Sequence, residues 1–177
     1  MGFLRKLFNK DTTTDVLELL TSQHSEMDEL FAMLEKGEGN RAALFTELAD
    51  MLAAHSTAEE KVFYPAIMSK DTEAKLQESV EEHLAIKRVL ADLISMKLDD
   101  DMFVAKLKVL KEQVAHHAHE EEEKDLFPKV KDMFASHERA ALGNEVLVMF
   151  EDLMLTHPYK TVPAETAFAA KLPPVTR

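Results

Sequence analysis

The sequence predicts an all-α protein, an up-and-down four-helix bundle with an additional short C-terminal helix and an irregular tail, and three observations predict it. Gly and Pro are scarce, four and six among 177 residues, while Ala, Leu, Glu, Lys and Met are plentiful. Apolar residues recur at helical spacing through five successive stretches. Histidines at 24, 55, 83 and 117 stand 31, 28 and 34 residues apart, each interval the length of a helix plus a turn.

The elements follow in order. Thr12, with Asp15 three residues on, has the form of a helix start, and Val16, Leu19, Leu20, Met27, Leu30, Phe31 and Leu34 carry that helix to Gly37 and Gly39. Asn40 caps a second helix whose stripe of Leu44, Phe45, Leu48, Met51 and Leu52 is interrupted by His55 and Glu59; Pro65 kinks or ends it near Met68. Asp71 is read as the cap of a third, which carries Leu76, Val80, His83, Leu84, Ile86 and Leu90 and stops before Lys97. Asp99 to Asp101 suit the positive end of a fourth, which runs past Pro128 to about Phe134. Ser136 caps the fifth, and Pro158, Pro163, Pro173 and Pro174 punctuate the tail. The expected organisation is an N-terminal extension over 1–11, the bundle over 12–135, and a C-terminal helix and tail over 136–177, with no composition shift that would divide the core.

Composition excludes several classes of function. A net charge of −12 without a basic stripe argues against nucleic acid, whose phosphates need cationic partners. The absence of cysteine removes disulfides and thiolate ligation, so any metal must be held by nitrogen and oxygen. No apolar run approaches the ~18 residues of a membrane span, and Met1 to Lys10 lacks the features of a secretory signal, so a cytoplasmic protein is expected. Phe3, Leu4, Leu7 and Phe8 with Arg5 and Lys6 form a short basic amphipathic start, expected to pack on the bundle.

The chemistry concentrates in two similar stretches. His55 and Glu59, four residues apart on a helix of about 100° per residue, share one face. Glu59-Glu60-Lys61-Val62-Phe63-Tyr64-Pro65 is echoed by Glu122-Glu123-Lys124-Asp125-Leu126-Phe127-Pro128, which has its own histidines at 116, 117 and 119. A lone histidine on an apolar face is more often a hydrogen-bonded core residue than a ligand, but four at matched heights reverse that expectation. Glu59 adds to it, because a buried carboxylate without a positive partner costs many kcal/mol.

The second stretch has one residue more than the first. In a regular helix Glu121, about 40° from His117, is the better partner and Glu122, about 140° away, is not, whereas a π-bulge would bring Glu122 round. Both stay open on this reading. His116 and His119 are second choices, Asp28 a possible oxygen donor, and His137 and His157 surface residues; Tyr64 and the methionines are read as packing, with Met33 and Met51 near the site.

His24, His55-x3-Glu59, His83, and His117 followed by Glu121 or Glu122 resemble the hemerythrin-like, or HHE cation-binding, domain over roughly residues 12 to 135. The resemblance implies an oxo- or hydroxo-bridged pair of iron ions in the bundle core. His24, His55, His83 and His117 would be the imidazole ligands, with Glu59 and Glu122 or Glu121 as carboxylate bridges. Oxygen-carrying members have a residue like Asp five after the last histidine, a spacing that Glu122 meets. They also have His-x3-His on the third helix, where Lys87 stands here. The missing ligand implies an open position on one iron. The leading reading is a protein that binds or senses a small oxidant, either a diatomic such as oxygen or nitric oxide, or peroxide. Beside it stand a di-iron redox enzyme acting on peroxide or nitric oxide, and an interaction protein with adventitious metal.

Overall fold

The computed structural model describes residues 14–175, so the readings at residues 1–12 lie outside the described range. Helix α1 is Val16–Lys36, and its cap is Asp15 itself, whose Oδ1 accepts the Leu17 N–H at 3.0 Å. It ends on Gly37 at φ 70°, a left-handed conformation that glycine adopts without a Cβ penalty, with the Glu38 N–H bonded to the Met33 carbonyl at 3.0 Å.

Helix α2 is a continuous rod over residues 41–67: Arg41–Ala58, a π-helical turn Glu59–Phe63, and a last turn Tyr64–Ile67. Asn40 caps it, accepting the Ala43 N–H at 3.1 Å. Pro65 lies inside this rod. The wide turn before it, in which the Tyr64 N–H reaches back to the Glu59 carbonyl, relieves the clash that a proline ring makes in a regular helix.

Helix α3 is Glu73–Ser95. Thr72 rather than Asp71 stands at its cap position, and its hydroxyl secures the preceding turn, donating to the Ile67 carbonyl at 2.7 Å and accepting the Ser69 N–H at 3.0 Å. Helix α4 covers residues 101–133 as Asp101–Ala115, a long π-helical segment His116–Leu126, and Phe127–Met133; Asp100 caps it by accepting the Met102 N–H at 2.8 Å. Helix α5 is Ser136–Met154, at 19 residues the shortest of the five, as expected. Its start is held by Glu138, which accepts the Ala135 N–H at 2.8 Å.

Short connections place α1 beside α2 and α3 beside α4, and α1–α4 and α2–α3 contacts close the bundle. No strand occurs among the described residues, and none of their helices is long and apolar enough to cross a membrane. Helix α5 lies against α1 and α2 and adds Leu142, Val146 and Phe150 to the core, each burial contributing roughly 1.5–3 kcal/mol. The tail is more ordered than its prolines suggest. A 3₁₀ segment, Pro158–Glu165, packs on α2 and α3 with Pro158 and Val162 buried. It begins at His157, which is not free: its Nδ1 lies 2.8 Å from Asp50 Oδ2.

Two predictions follow from this packing. Gly143 brings α5 so close to the start of α1 that an added Cβ would stand 2.0 Å from the Thr14 carbonyl oxygen, so Gly143→Ala should destabilise the protein by about 1–3 kcal/mol in urea unfolding. Glu26 is buried, and burial together with the neighbouring Glu29 and Glu47 pushes its pKa up from 4.5 to about 7. A raised carboxyl pKa means that the folded state holds a proton that the unfolded state releases. Its cost is therefore absent below pH 4.5, grows between 4.5 and about 7, and is complete above. Glu26→Gln should stabilise the protein by about 1–2 kcal/mol at pH 8 and by almost nothing at pH 4, as read from unfolding midpoints at the two values.

Candidate metal centre

The π-helical segments determine which side chains reach the middle of the bundle. In α2, His55 and Glu59 point inward at the start of the wide turn; in α4, the i→i+5 pattern brings Glu122 under His117. Glu122 is fully buried, whereas Glu121 turns outward to an ion pair with Lys75, with its other oxygen 3.4 Å from His116. The structure thus brings His24, His55, Glu59, His83, His117 and Glu122 together and leaves Glu121 outside.

The arrangement is two clusters sharing one carboxylate. His24 Nε2 lies 3.2 Å from His55 Nε2, and His83 Nε2 lies 2.9 Å from His117 Nε2. Glu59 stands between the pairs, with Oε1 3.2 Å from His55 Nε2 and Oε2 3.3 Å from His83 Nε2. Glu122 Oε2 is 3.3 Å from His24 Nε2 and 3.8 Å from His117 Nε2. All six side chains are buried.

The other nitrogen of each ring is engaged by an acceptor. His24 Nδ1 donates to Glu123 Oε1 at 2.7 Å, His55 Nδ1 to Gln23 Oε1 at 2.8 Å, His83 Nδ1 to Glu60 Oε1 at 3.0 Å, and His117 Nδ1 to Glu82 Oε2 at 2.7 Å. With the hydrogen on Nδ1, each neutral imidazole aims a bare Nε2 lone pair inward. Lone pairs facing one another at 2.9 to 3.2 Å, beside two carboxylates, repel unless something positive lies between them. Glu59 Oε1 and Glu122 Oε2 are buried with no hydrogen-bond partner, an arrangement that is costly without a positive charge nearby. The donor set, imidazole and carboxylate with no sulfur, therefore fits a pair of metal ions.

Protons can supply that positive charge. Burial alone would lower the pKa of His24, but the carboxylates of Glu122 and Glu123, which accept from its protonated ring, outweigh it and raise the value to about 9. His83 behaves alike, burial being outweighed by Glu59 and Glu60, again to about 9. Burial would raise Glu59, yet His55 and His83 hold it well below the usual carboxylate range.

Tyr64, read from the sequence as packing, lies at the second cluster. Its buried hydroxyl donates to Glu122 Oε1 at 2.9 Å and lies 3.4 Å from Glu59 Oε2, His83 Nε2 and His117 Nε2 alike. Burial and the charges of Glu122 and Glu59 push the phenol pKa well above its ordinary value. The residue at the third-helix position where a further histidine would stand, Lys87, turns away and clamps both oxygens of Glu60 at 3.0 and 2.9 Å. The signal for Tyr64 was its place before Pro65 at the end of the wide turn. Gln23, Glu60, Glu82 and Glu123 could have been found as the immediate neighbours of donors.

Beside the four imidazoles is a small cavity of about 20 Å³, walled by Met27, Leu52, Ile86 and Val114. That is room for one water-sized or diatomic molecule against an apolar wall. His116 and His119 both lie outside the centre, His119 bonded to Asp28 at 2.9 Å.

Comparison with known proteins agrees with this architecture. A crystal structure of a hemerythrin HHE cation binding domain-containing protein, the Rv2633c homologue of Mycobacterium kansasii, superposes with a TM-score of 0.72 at 23% identity, covering 84% of this chain and 92% of that one. At that identity the likeness concerns the fold. A DNA nickase of Nostoc sp. is 25% identical over 133 residues, 74% of this chain, which spans only 38% of that longer protein. The model of the hemerythrin HHE cation binding domain matches residues 15–130, which take in every inward donor from His24 to Glu122. The chain belongs to the hemerythrin HHE cation-binding domain family.

Proposed function

We propose that this chain is a non-haem di-iron protein whose centre binds or senses a small oxidant, oxygen foremost, with nitric oxide and peroxide as ligands of similar size. The observation that carries the reading is the convergence of four bare imidazole nitrogens and two unpartnered carboxylate oxygens next to a cavity of about 20 Å³. His24, His55 and Glu122 would hold one ion, His83, His117 and Tyr64 the other, and Glu59 would span the two. Nitrogen and oxygen donors suit several first-row metals, and iron is preferred because of the family and because a phenol oxygen suits the ferric ion. A pair of irons held there would supply electron exchange.

The protein's own groups do the rest. Glu123, Gln23, Glu60 and Glu82 fix the tautomer and rotation of the four rings. Leu52, Ile86 and Val114 keep bulk water from the cavity. Tyr64 favours a second reading, a redox enzyme, because its hydroxyl oxygen, 2.9 Å from Glu122 Oε1, holds a proton at the edge of the donor set. Catalytic consumption of peroxide, or of nitric oxide with a reductant, separates the enzyme from the binder. A DNA-directed activity is not included in the proposal, since a net charge of −12 repels a phosphate backbone.

Protein from iron-replete cells should contain about two irons per chain by elemental analysis, and His83→Ala about one or fewer. A parent protein with no stoichiometric metal would overturn the di-iron reading in favour of an interaction protein. Tyr64→Phe should retain both irons but lose the visible charge-transfer band of a phenolate bound to ferric iron; an unchanged spectrum would remove Tyr64 from the ligand set.

A further inference from the structure

Outside the buried centre, a second group of donors meets where α3 and α4 pack. Glu82 on α3 and Glu121 on α4 each have one oxygen committed: Glu82 Oε2 accepts from His117 Nδ1 at 2.7 Å, and Glu121 Oε2 pairs with Lys75. Their other oxygens face His116. His116 Nε2 lies 3.7 Å from Glu82 Oε1 and 3.4 Å from Glu121 Oε1, and the three donor atoms lie within 4.8 Å of one another.

Those distances are long for hydrogen bonds, which prefer 2.7–3.2 Å. They are close to the separation of two ligands on one ion, since bonds of about 2.1 Å at a tetrahedral angle put their atoms about 3.4 Å apart. The other flank of α4, which faces α1, provides the contrast. There His119 also sits between two carboxylates, but at 2.9 Å from Asp28 and 3.2 Å from Glu123, as a hydrogen-bonded ring should. The π-helical segment carries both histidines, and only His116 is left with loosely spaced donors.

The geometry points to a third cation site, in which Glu82, His116 and Glu121 hold a divalent first-row metal ion at the surface. One imidazole and two carboxylate oxygens suit zinc, ferrous iron or manganese. Three protein donors leave the remaining positions to water, so the ion is exchangeable, unlike one enclosed in the core. Lys75 is its competitor: its ammonium rests on Glu121, with Glu78 at 3.1 Å and Asp125 at 3.3 Å, and supplies there the positive charge that a metal would replace. Glu82 belongs to both sites, so the outer ion would lie one carboxylate away from His117.

The test is zinc binding by equilibrium dialysis and calorimetry on the full chain, after the strong sites are filled. The expected result is one further zinc equivalent, weakened at least tenfold by His116→Ala and strengthened severalfold by Lys75→Met. The opposed signs separate the site from a general loss of folding, and circular dichroism of each variant checks the fold. In His83→Ala, which removes no donor of the outer site, the equivalent that depends on His116 should persist even if the inner centre takes up no metal. Failure of the di-iron reading is thus distinct from failure of the outer site. A further equivalent of equal affinity in parent and His116→Ala, no further equivalent in the parent, or weaker binding in Lys75→Met would overturn the assignment.

Discussion

Four hydrogen bonds donated by imidazole Nδ1 atoms hold this bundle in register, and each is accepted by a residue next in sequence to a side chain of the centre. Gln23 beside His24 holds His55, Glu60 beside Glu59 holds His83, Glu82 beside His83 holds His117, and Glu123 beside Glu122 holds His24. The bonds run from α1 to α2, α2 to α3, α3 to α4 and α4 back to α1, a closed ring. One residue of slippage would turn a helix by about 100° and remove an inward donor and a neighbour's clamp together. Bonds to charged acceptors contribute about 1.5–3 kcal/mol each, and in a connected ring they are not independent.

The ring surrounds a centre that works against stability. Glu59 and Glu122 are buried with oxygen atoms unpartnered, and each would cost several kcal/mol without a positive charge nearby. The compensation comes from the apolar layers around it, where Phe63, Phe103, Leu48 and Leu110 are fully buried, and from α5, which closes the side formed by α1 and α2. The backbone departs from regular geometry at the same place, in the wide turns of α2 and α4. Local rules are broken where the donors converge and obeyed elsewhere.

That division explains what could be read from the sequence. The bundle was legible because runs such as Phe45, Leu48 and Leu52 in α2, or Phe103, Leu107, Leu110 and Val114 in α4, recur at a period that only a helix satisfies, and the caps Asn40 and Asp100 lie where the apolar stripes begin. The inward histidines were legible from their spacing. Glu121 and Glu122 could not be separated, because at a regular 3.6 residues per turn the wrong one faces inward, and only the wide turn decides between them. Tyr64 was hidden for a related reason, since the wide turn before it, which regular periodicity does not encode, carries its hydroxyl to the donor set. The order in the tail depends on long-range partners, Arg88 bonding to the Thr166 carbonyl at 3.0 Å and Asp50 receiving His157, which periodicity does not encode.

The ring has a further consequence for how the fold can be rewired. Three of its links join helices that follow one another along the chain, but the fourth, Glu123 to His24, joins α4 to α1 with no connecting loop and uses the same kind of bond at 2.7 Å. The centre therefore carries no record of where the polypeptide is cut. Connection order is a property of the loops, and a circularly permuted chain opened between two of these helices would still contain all four clamps.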